Sequence, residues 1–325
     1  MMRNANYCDE DFLKHEVLSA DFINWRHKRS KIYAEKISMT ETRSDIDIIQ
    51  ILQKFAAKYP KQKVHKVGYA CEGGRVKLNL GEIDADFYSF GGPKCRASDV
   101  NQLLGFYLDR LLGLFLFPTC VARKFTAVEL EQAGFPVDSG GDRYDSFNTL
   151  KDENGDLSGV ICIAVDSVAT TDVFIPKFNN LVGGITEFDS EMRNQLEYFT
   201  ISHLLGLDEK LQFLIKPRHS IVDNLTGEKY FIHKSSIDVF SSSDSSINYF
   251  YNCVFSQALY ERINQISVSN CDLGNRIKKF VFESYSGRKE NFKNFEDLVI
   301  NLNKNVLKLT QVLKVCSLNA AVFYQ

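Results

Sequence analysis

The amino-acid sequence predicts an α+β protein of two lobes, a strand-rich lobe followed by a mainly helical one. Residues 64 to 92 form short alternating or apolar runs separated by glycines, which is typical of antiparallel strands. Further along, residues 191 to 207 and 295 to 316 place apolar side chains at helical spacing. A run of strands followed by a run of helices is typical of α+β folds, and 325 residues can form two lobes.

We divide the chain accordingly into three units. They are a helical N-terminal extension over residues 1–62, an N-terminal lobe over 63–182 and a C-terminal lobe over 183–325. The formal net charge of -2 predicts no general affinity for nucleic acid. The longest apolar runs are far shorter than the roughly 20 residues that span a bilayer. No signal segment is visible, which favours cytosolic residence or a targeting segment upstream of this sequence.

The eight cysteines show no zinc-ligand spacing, so disulfides and buried thiols both remain open.

The helices and strands of the N-terminal half follow from local signals. The first helix covers residues 45 to 59 and stops before Pro60. A second helix follows the glycine-rich strands, capped by Ser98 or Asp99 and ended by Pro118. One face of this second helix is leucine-rich: Leu104, Leu108, Leu111 and Leu112.

The later elements are equally regular. Residues 134 to 159 form a loop or hairpin with a DENGD turn, and residues 159 to 168 form a buried strand. Residues 220 to 232 are predicted as a strand, a tight turn and a strand. Helices are expected over residues 191 to 207 and 295 to 316.

An ordered set of polar residues carries the best chemical signal. Gln102 lies on the helix after the glycine-rich hairpin, Asp208 and Glu209 follow a later helix, and Asp223 and Asn224 lie between two strands. That order suits phosphoryl transfer, in which one carboxylate accepts the hydroxyl proton and another holds the metal. Asp and Asn oxygens suit Mg²⁺ or Mn²⁺. Signatures of serine hydrolases, P-loop proteins and dinucleotide-binding proteins are absent from the sequence.

Several segments resemble the four-jointed family of secretory-pathway kinases, which is related to the Golgi casein kinase. They are, in order, GYACEGGRVKLNL, NQLLGFYLDRLLGL, ISHLLGLDEKLQFLI, IVDNLTG, YNCVFSQALYERI and the last helix with Cys316, and they cover residues 66 to 320. The resemblance implies an atypical protein-kinase-like fold that uses ATP with Mn²⁺ or Mg²⁺. It implies phosphorylation of cadherin-type extracellular proteins in the Golgi lumen, in planar polarity and growth signalling. It also implies that Cys253 and Cys316 are oxidised and that Cys71 forms another bridge.

The sequence departs from the family where the nucleotide would bind. The helix position at which the family has a glutamate is Gln102, and the strand position of the phosphate-binding base is Tyr88. Lys77 and Lys94 are nearby, and either can substitute only if the register differs. The expected cofactor-binding residues are therefore Tyr88, Gln102 and Lys77, two of which are uncharged.

The catalytic step also departs from the family pattern. The base is Asp208 in one register and Glu209 in another, and the family's metal-binding asparagine falls on Gly206 or Leu207. Neither Gly nor Leu can bind a metal through its side chain.

The metal loop is intact, with Asp223 and Asn224 as the expected ligands. Asn224 also begins a glycosylation sequon, which we expect to be unmodified because a glycan would block the metal site.

Three functions remain open at this point. The first is an active four-jointed-type kinase with a secreted or cadherin-type protein substrate. The second is a pseudokinase that acts as a binding or allosteric partner, which the lost charges favour. The third is an unrelated cytosolic interaction protein. Oligomeric state does not follow from the sequence.

Overall fold

The computed structural model describes residues 45–54, 56–57, 75–81, 83–89, 100–134, 151–165, 168–169, 196–197, 200–205, 219–222, 229–232, 253–268, 295–318 and 322–324. Predictions for Cys71, Lys94 and the cap at Ser98 or Asp99 lie outside the described residues.

A four-stranded antiparallel sheet forms the N-terminal lobe. Its strands are β1 (Arg75–Asn79), β2 (Asp84–Ser89), β3 (Cys120–Phe125) and β4 (Leu157–Ile163), in the order β1-β2-β4-β3. Of the two or three antiparallel strands predicted within residues 64 to 92, the described residues contain two, β1 and β2. The predicted strand at residues 159 to 168 begins and ends earlier, because DENGD forms its turn only up to Gly155 and β4 starts directly afterwards.

Helices cover both faces of this sheet. Helix α1 (Asp45–Lys54) contributes Ile48, Ile51 and Leu52 to a core that includes Phe87 of β2. Helix α2 (Val100–Leu112) packs on the opposite face, in a core that includes Tyr88 of β2. Neighbouring strand residues point to opposite faces, which explains why Phe87 and Tyr88 belong to different cores. The helix predicted at residues 45 to 59 is confirmed as far as Lys54, but it ends earlier than predicted, since residues 56–57 are not helical.

Helix α2 ends earlier than Pro118, at Leu112. The backbone N–H of Gly113 donates to the Arg110 carbonyl at 3.2 Å, and that of Leu114 donates to the Asp109 carbonyl at 3.0 Å. Gly113 has φ 71°, the left-handed conformation in which helices commonly end at a glycine. The glycine inside the leucine-rich segment therefore stops the helix before the proline is reached.

A short helix and a tight turn border β3. Helix α3 (Ala127–Gln132) begins with a capping box between Thr126 and Glu129. The predicted DENGD turn is confirmed, since Asp152 accepts from the backbone N–H of Asn154 at 2.9 Å and of Asp156 at 3.0 Å. Lys124 forms ion pairs with both aspartates of this turn.

After β4, the described part of the chain combines small sheets with helices, and β5, within the predicted N-terminal lobe, pairs with a strand of the predicted C-terminal lobe. Strands β5 (Val168–Ala169), β6 (His219–Val222) and β7 (Lys229–Ile232) form one sheet, and β8 (Val254–Ser256) pairs in parallel with β9 (Val322–Tyr324). The helices are α4 (Gln257–Val268) and α5 (Phe295–Leu318), with a helical segment at residues 200–204. The predicted strand pair at residues 220 to 232 and the last predicted helix are confirmed. No helix in the described ranges has the length and hydropathy needed to cross a membrane.

Two disulfides hold the described cysteines. Cys253, just before β8, bonds Cys316 on α5, and Cys120 on β3 bonds Cys162 on β4. The expected oxidation of Cys253 and Cys316 is confirmed, and the structure shows that they pair with each other. The bridge between β3 and β4 was not expected from the sequence.

Candidate functional site

The face of the N-terminal sheet beneath α2 forms the candidate site. Strand pairing places Lys77 opposite Asp86, Asp86 opposite Cys162, and Cys162 opposite Cys120. Because directly paired residues lie on the same face, these side chains form one row across four strands. Tyr88 lies in the next row, opposite Val160.

Tyr88 occupies the strand position that the resemblance assigns to the phosphate-binding base. It is 4% exposed and belongs to the same core as Leu103 and Leu104 of α2. The structure therefore brings the predicted strand and the predicted helix together. A phenol at this point cannot supply an ammonium group, and the sequence of β2, DADFYS, contains no lysine or arginine.

Gln102 lies in the first turn of α2 and is fully buried, with 0% exposure. Neither Nε2 nor Oε1 of its amide has a hydrogen-bond partner within the described residues. An unsatisfied buried polar group costs about 1–3 kcal/mol, so native proteins rarely retain one without a reason. Both the donor and the acceptor of this amide therefore keep their full hydrogen-bonding capacity.

Lys77 is one basic residue on this face of the sheet, and strand pairing also places Arg75 on it, directly opposite Tyr88. The Lys77 side chain is exposed on β1, directly opposite the buried Asp86. Asp86 precedes Tyr88 by two residues and points to the same face. The observed register therefore places Lys77 one strand away and one row away from the position that Tyr88 occupies.

A buried carboxylate organises the turn that follows α2. Asp109 accepts hydrogen bonds from the backbone N–H of Leu116 at 2.9 Å and of Phe117 at 3.0 Å, and it forms an ion pair with Arg110. Phe115, inside this turn, has φ 55°, a conformation that costs a non-glycine residue of order 1–3 kcal/mol. The Asp109 carboxylate bonds the two residues after Phe115 and so holds the turn in place.

Arg110 ties α2 to the N-terminal helix α1. Its Nε donates to Asp45 Oδ2 at 2.7 Å, and Thr119 Oγ1 donates to the other oxygen of Asp45 at 2.6 Å. The guanidinium lies over the rings of Phe106 and Phe115, at 4.8 and 4.6 Å from their centroids. Contact between a cation and aromatic faces stabilises the fold in addition to the hydrogen bonds that the cation donates.

The buried carboxylate of Asp109 makes the stability of the N-terminal lobe depend on pH. Burial raises the pKa of Asp109 from 3.8 to about 6, although Arg110 and the two backbone N–H groups act in the opposite direction. The unfolded state then loses its proton at lower pH than the folded state, so this contribution to the free energy of unfolding is fully present only below the ordinary pKa of 3.8 and is lost as the pH rises through about 6. We expect this residue to remove about 3 kcal/mol of unfolding free energy over that interval.

Denaturant titration from pH 4 to 7 measures the effect, with Asp109→Asn as the comparison. The free energy of unfolding of the Asp109→Asn variant should depend less steeply on pH. An unchanged slope would assign the effect to other groups.

The predicted catalytic and metal residues fall outside the described part of the chain. These are Asp208, Glu209, Asp223 and Asn224. In the sequence, Asp223 and Asn224 come between Val222, the last residue of β6, and Lys229, the first residue of β7. Among the residues described, no cluster of His, Cys, Asp and Glu could hold a metal ion. The metal-binding role of Asp223 and Asn224 therefore stays a prediction.

Sequence reasoning missed the polar residues that anchor the elements around the site. In the C-terminal lobe, Asn305 of α5 donates through Nδ2 to the carbonyls of His203 at 3.1 Å and Leu204 at 3.4 Å. That segment ends shortly before Asp208. No local pattern in the sequence indicates these contacts, since they join residues about a hundred positions apart.

The sheet order, with one helix inserted between β2 and β3 and a helical second lobe, is that of a kinase-like protein. The sequence matches no protein-family model and no curated protein. The fold is similar to the crystal structure of the Golgi casein kinase, with a TM-score of 0.56, 12% identity and coverage of 91% of this chain and 87% of that chain.

Two further structures are similar. They are hydra Fam20 with sugar (TM-score 0.55, 13% identity, 89% and 95% coverage) and the Golgi casein kinase with Mn/ADP bound (TM-score 0.54, 11% identity, 94% and 84% coverage). Sequence identity at this level shows the fold alone. The chain thus has an α+β kinase-like fold of the Fam20 type, which confirms the predicted fold class.

Proposed function

We propose that this chain is a secretory-pathway protein of kinase fold, of four-jointed type, that binds a nucleotide with Mn²⁺ or Mg²⁺ and has impaired phosphate transfer. The observation that carries the proposal is the unpartnered amide of Gln102 on the helix that covers the sheet. This amide is a buried polar group that a ligand could hydrogen-bond, but it lacks the negative charge that efficient catalysis requires.

The residues present fit a bound nucleotide. The buried amide of Gln102 needs a hydrogen-bond partner, which a nucleotide or a metal-bound water would provide. Lys77 is exposed on the same sheet face and can reach toward an anionic ligand. One of the similar structures, the Golgi casein kinase, holds Mn/ADP.

Each of these side chains has a distinct role in the proposal. Asp223 and Asn224 hold the metal, and Lys77 orients phosphate oxygens. Asp208 or Glu209 accepts the proton of the substrate hydroxyl. The bound metal and nucleotide supply charge neutralisation and the phosphoryl group. Gln102 donates a hydrogen bond but does not hold a cation in place.

Catalysis is expected to be weak because two charges are absent. Tyr88 and Gln102 stand where the resemblance expects a base and a glutamate, and both are enclosed in the core beneath α2. Removing one electrostatic group from a catalytic site typically lowers the rate by about 10²–10³. A pseudokinase that binds a secreted or cadherin-type partner is the second candidate, and the same two neutral residues favour it.

The disulfides support a secretory-pathway lumen. Two bridges are present among the described residues, and disulfides persist in oxidising compartments. The Golgi kinases of similar fold support the same location. An unrelated cytosolic interaction protein, the third possibility, fits neither the fold nor the bridges.

A thermal-shift titration with ADP or ATP, with and without Mn²⁺, tests nucleotide binding. At a ligand concentration of about 100 times Kd, binding stabilises by about 2.7 kcal/mol, which raises the melting temperature by several degrees. Asp223→Ala should abolish the Mn²⁺-dependent part of the shift. Asp297→Ala, which removes an exposed carboxylate on α5, should retain it.

No shift with any nucleotide or metal would contradict the proposal. Turnover of ATP with a cadherin-repeat substrate separates the two candidates: slow but measurable phosphate transfer supports the impaired kinase, and binding without transfer supports the pseudokinase.

A further inference from the structure

The C-terminal end of α2 is held by an arginine from the other lobe. Arg262 of α4 is 4% exposed, and its Nε donates to the carbonyl oxygen of Leu111 at 2.5 Å, across 151 residues of sequence. The last carbonyls of a helix have no donor within the helix. The turn at Gly113 already satisfies the carbonyls of Asp109 and Arg110, so Leu111 has the next carbonyl in need of a donor. Arg262 supplies that donor.

The same helix end is also held from the N-terminal side. Arg110 donates to the carbonyl of Phe117 at 3.1 Å and to Asp45 of α1, which lies 65 residues earlier in the chain. Helix α2 is therefore fixed at one end by two buried guanidiniums, one bonded to α1 and one belonging to α4. Its other end carries Gln102.

The geometry points to Arg262 as a positioning residue for the nucleotide site. By fixing the C-terminal end of α2, Arg262 sets the place of Gln102, nine residues earlier on the same helix. At a rise of about 1.5 Å per residue, the two points are about 13 Å apart along a rigid rod. Helix α2 then acts as a strut between the lobes, so a change at α4 alters the position of Gln102 and with it the affinity for the nucleotide. This inference rests on the proposed function of the Gln102 site.

The chemistry of arginine suits this position. Its neighbours on α4, Leu259 and Ile263, are buried in the apolar core that also contains α2. A cation in such surroundings is costly unless a strong acceptor compensates for lost water. A helix C-terminus is such an acceptor, because its carbonyls carry the negative end of the helix dipole.

Two substitutions at this position test the inference. Arg262→Met keeps the volume but removes the donor, whereas Arg262→Lys keeps a cation that can reach the carbonyl. For Arg262→Met we expect hydrogen exchange at the amides of residues 104–107 to rise about tenfold and the affinity for ADP with Mn²⁺ to fall about tenfold. Arg262→Lys should restore most of both.

A second buried arginine provides the matched control. Arg123 of β3 donates through Nη1 to the carbonyl of Leu52 in α1 at 2.6 Å, on the opposite face of the sheet from α2. Arg123→Met removes the same kind of bond from another helix. It should lower the melting temperature without changing exchange in residues 104–107 or the affinity for ADP.

The outcomes distinguish failure of the positioning role of Arg262 from failure of the proposed nucleotide-binding function. If Arg262→Met lowers stability but leaves exchange in α2 and ADP affinity unchanged, Arg262 is only structural and the inference is overturned. If the wild-type chain binds no ADP, the proposed function fails. Hydrogen exchange at residues 104–107 then still tests the strut: a rise in Arg262→Met supports it, and no change refutes it.

Discussion

Removing the Cys253–Cys316 bridge is expected to lower the free energy of unfolding by about 4 kcal/mol. The bridge closes 63 residues of chain, and loop-closure entropy in the unfolded state grows with that length. Cys316 is fully buried on α5, among the core residues that also contact α2. Cys253 has φ 56°, a conformation that few non-glycine residues adopt without support.

The double variant Cys253→Ala, Cys316→Ala should show this loss in urea denaturation under oxidising conditions. The wild type in excess thiol should be less stable than this variant, because thiol also reduces the Cys120–Cys162 bridge. The Cys120→Ala, Cys162→Ala variant is the comparison, since its bridge closes 42 residues and joins strands already paired by hydrogen bonds. Equal stability of the wild type and the Cys253→Ala, Cys316→Ala variant would show that this bridge contributes nothing, and equal stability of oxidised and reduced wild type would remove the main support for an oxidising compartment.

The fold was predictable where local signals decide it. The alternation in β1 and β2, the leucine face of α2 and the apolar stripe of α5 each identify an element without any knowledge of its neighbours. The end of α2 shows the limit of such signals. Pro118 is the stronger helix breaker, but the conformational freedom of Gly113 ends the helix first.

The anchors of the site could not be predicted, because they depend on distant residues. The bond from Arg262 to Leu111 and the ion pair of Arg110 with Asp45 join elements that only the folded chain brings together. The disulfide partner of Cys120 is unpredictable for the same reason, since β3 and β4 must first pair in register. By contrast, the positions of Tyr88 and Gln102 followed from a resemblance of short motifs, and the structure places both in the core beneath α2. What the resemblance could not reveal is that the Gln102 amide is buried without a partner.

Gln102→Glu is expected to destabilise the protein by about 3–5 kcal/mol at neutral pH, the usual effect of leaving a buried charge uncompensated. The added charge has no cation on β2 to neutralise it, since Tyr88 occupies that position. The loss should shrink toward pH 4, because a buried carboxyl retains its proton to higher pH than an exposed one. Combining Gln102→Glu with Tyr88→Lys should recover part of the stability, and the coupling free energy from the double-mutant cycle reports whether the two side chains meet.

Gln102→Met should change the free energy of unfolding in the opposite direction. Methionine fills a similar volume and removes two unsatisfied polar atoms, so the unliganded protein should gain about 1–2 kcal/mol. The same variant should lose much of the melting-temperature shift produced by ADP with Mn²⁺, because the ligand no longer finds the amide. Stability gained together with binding lost is the behaviour of a side chain kept for function. Asn305→Leu is the matched control, since its amide already donates to two backbone carbonyls and its removal should only destabilise. If Gln102→Met also destabilises, the amide has a partner in the folded chain; if it leaves the ADP shift intact, Gln102 does not contact the nucleotide.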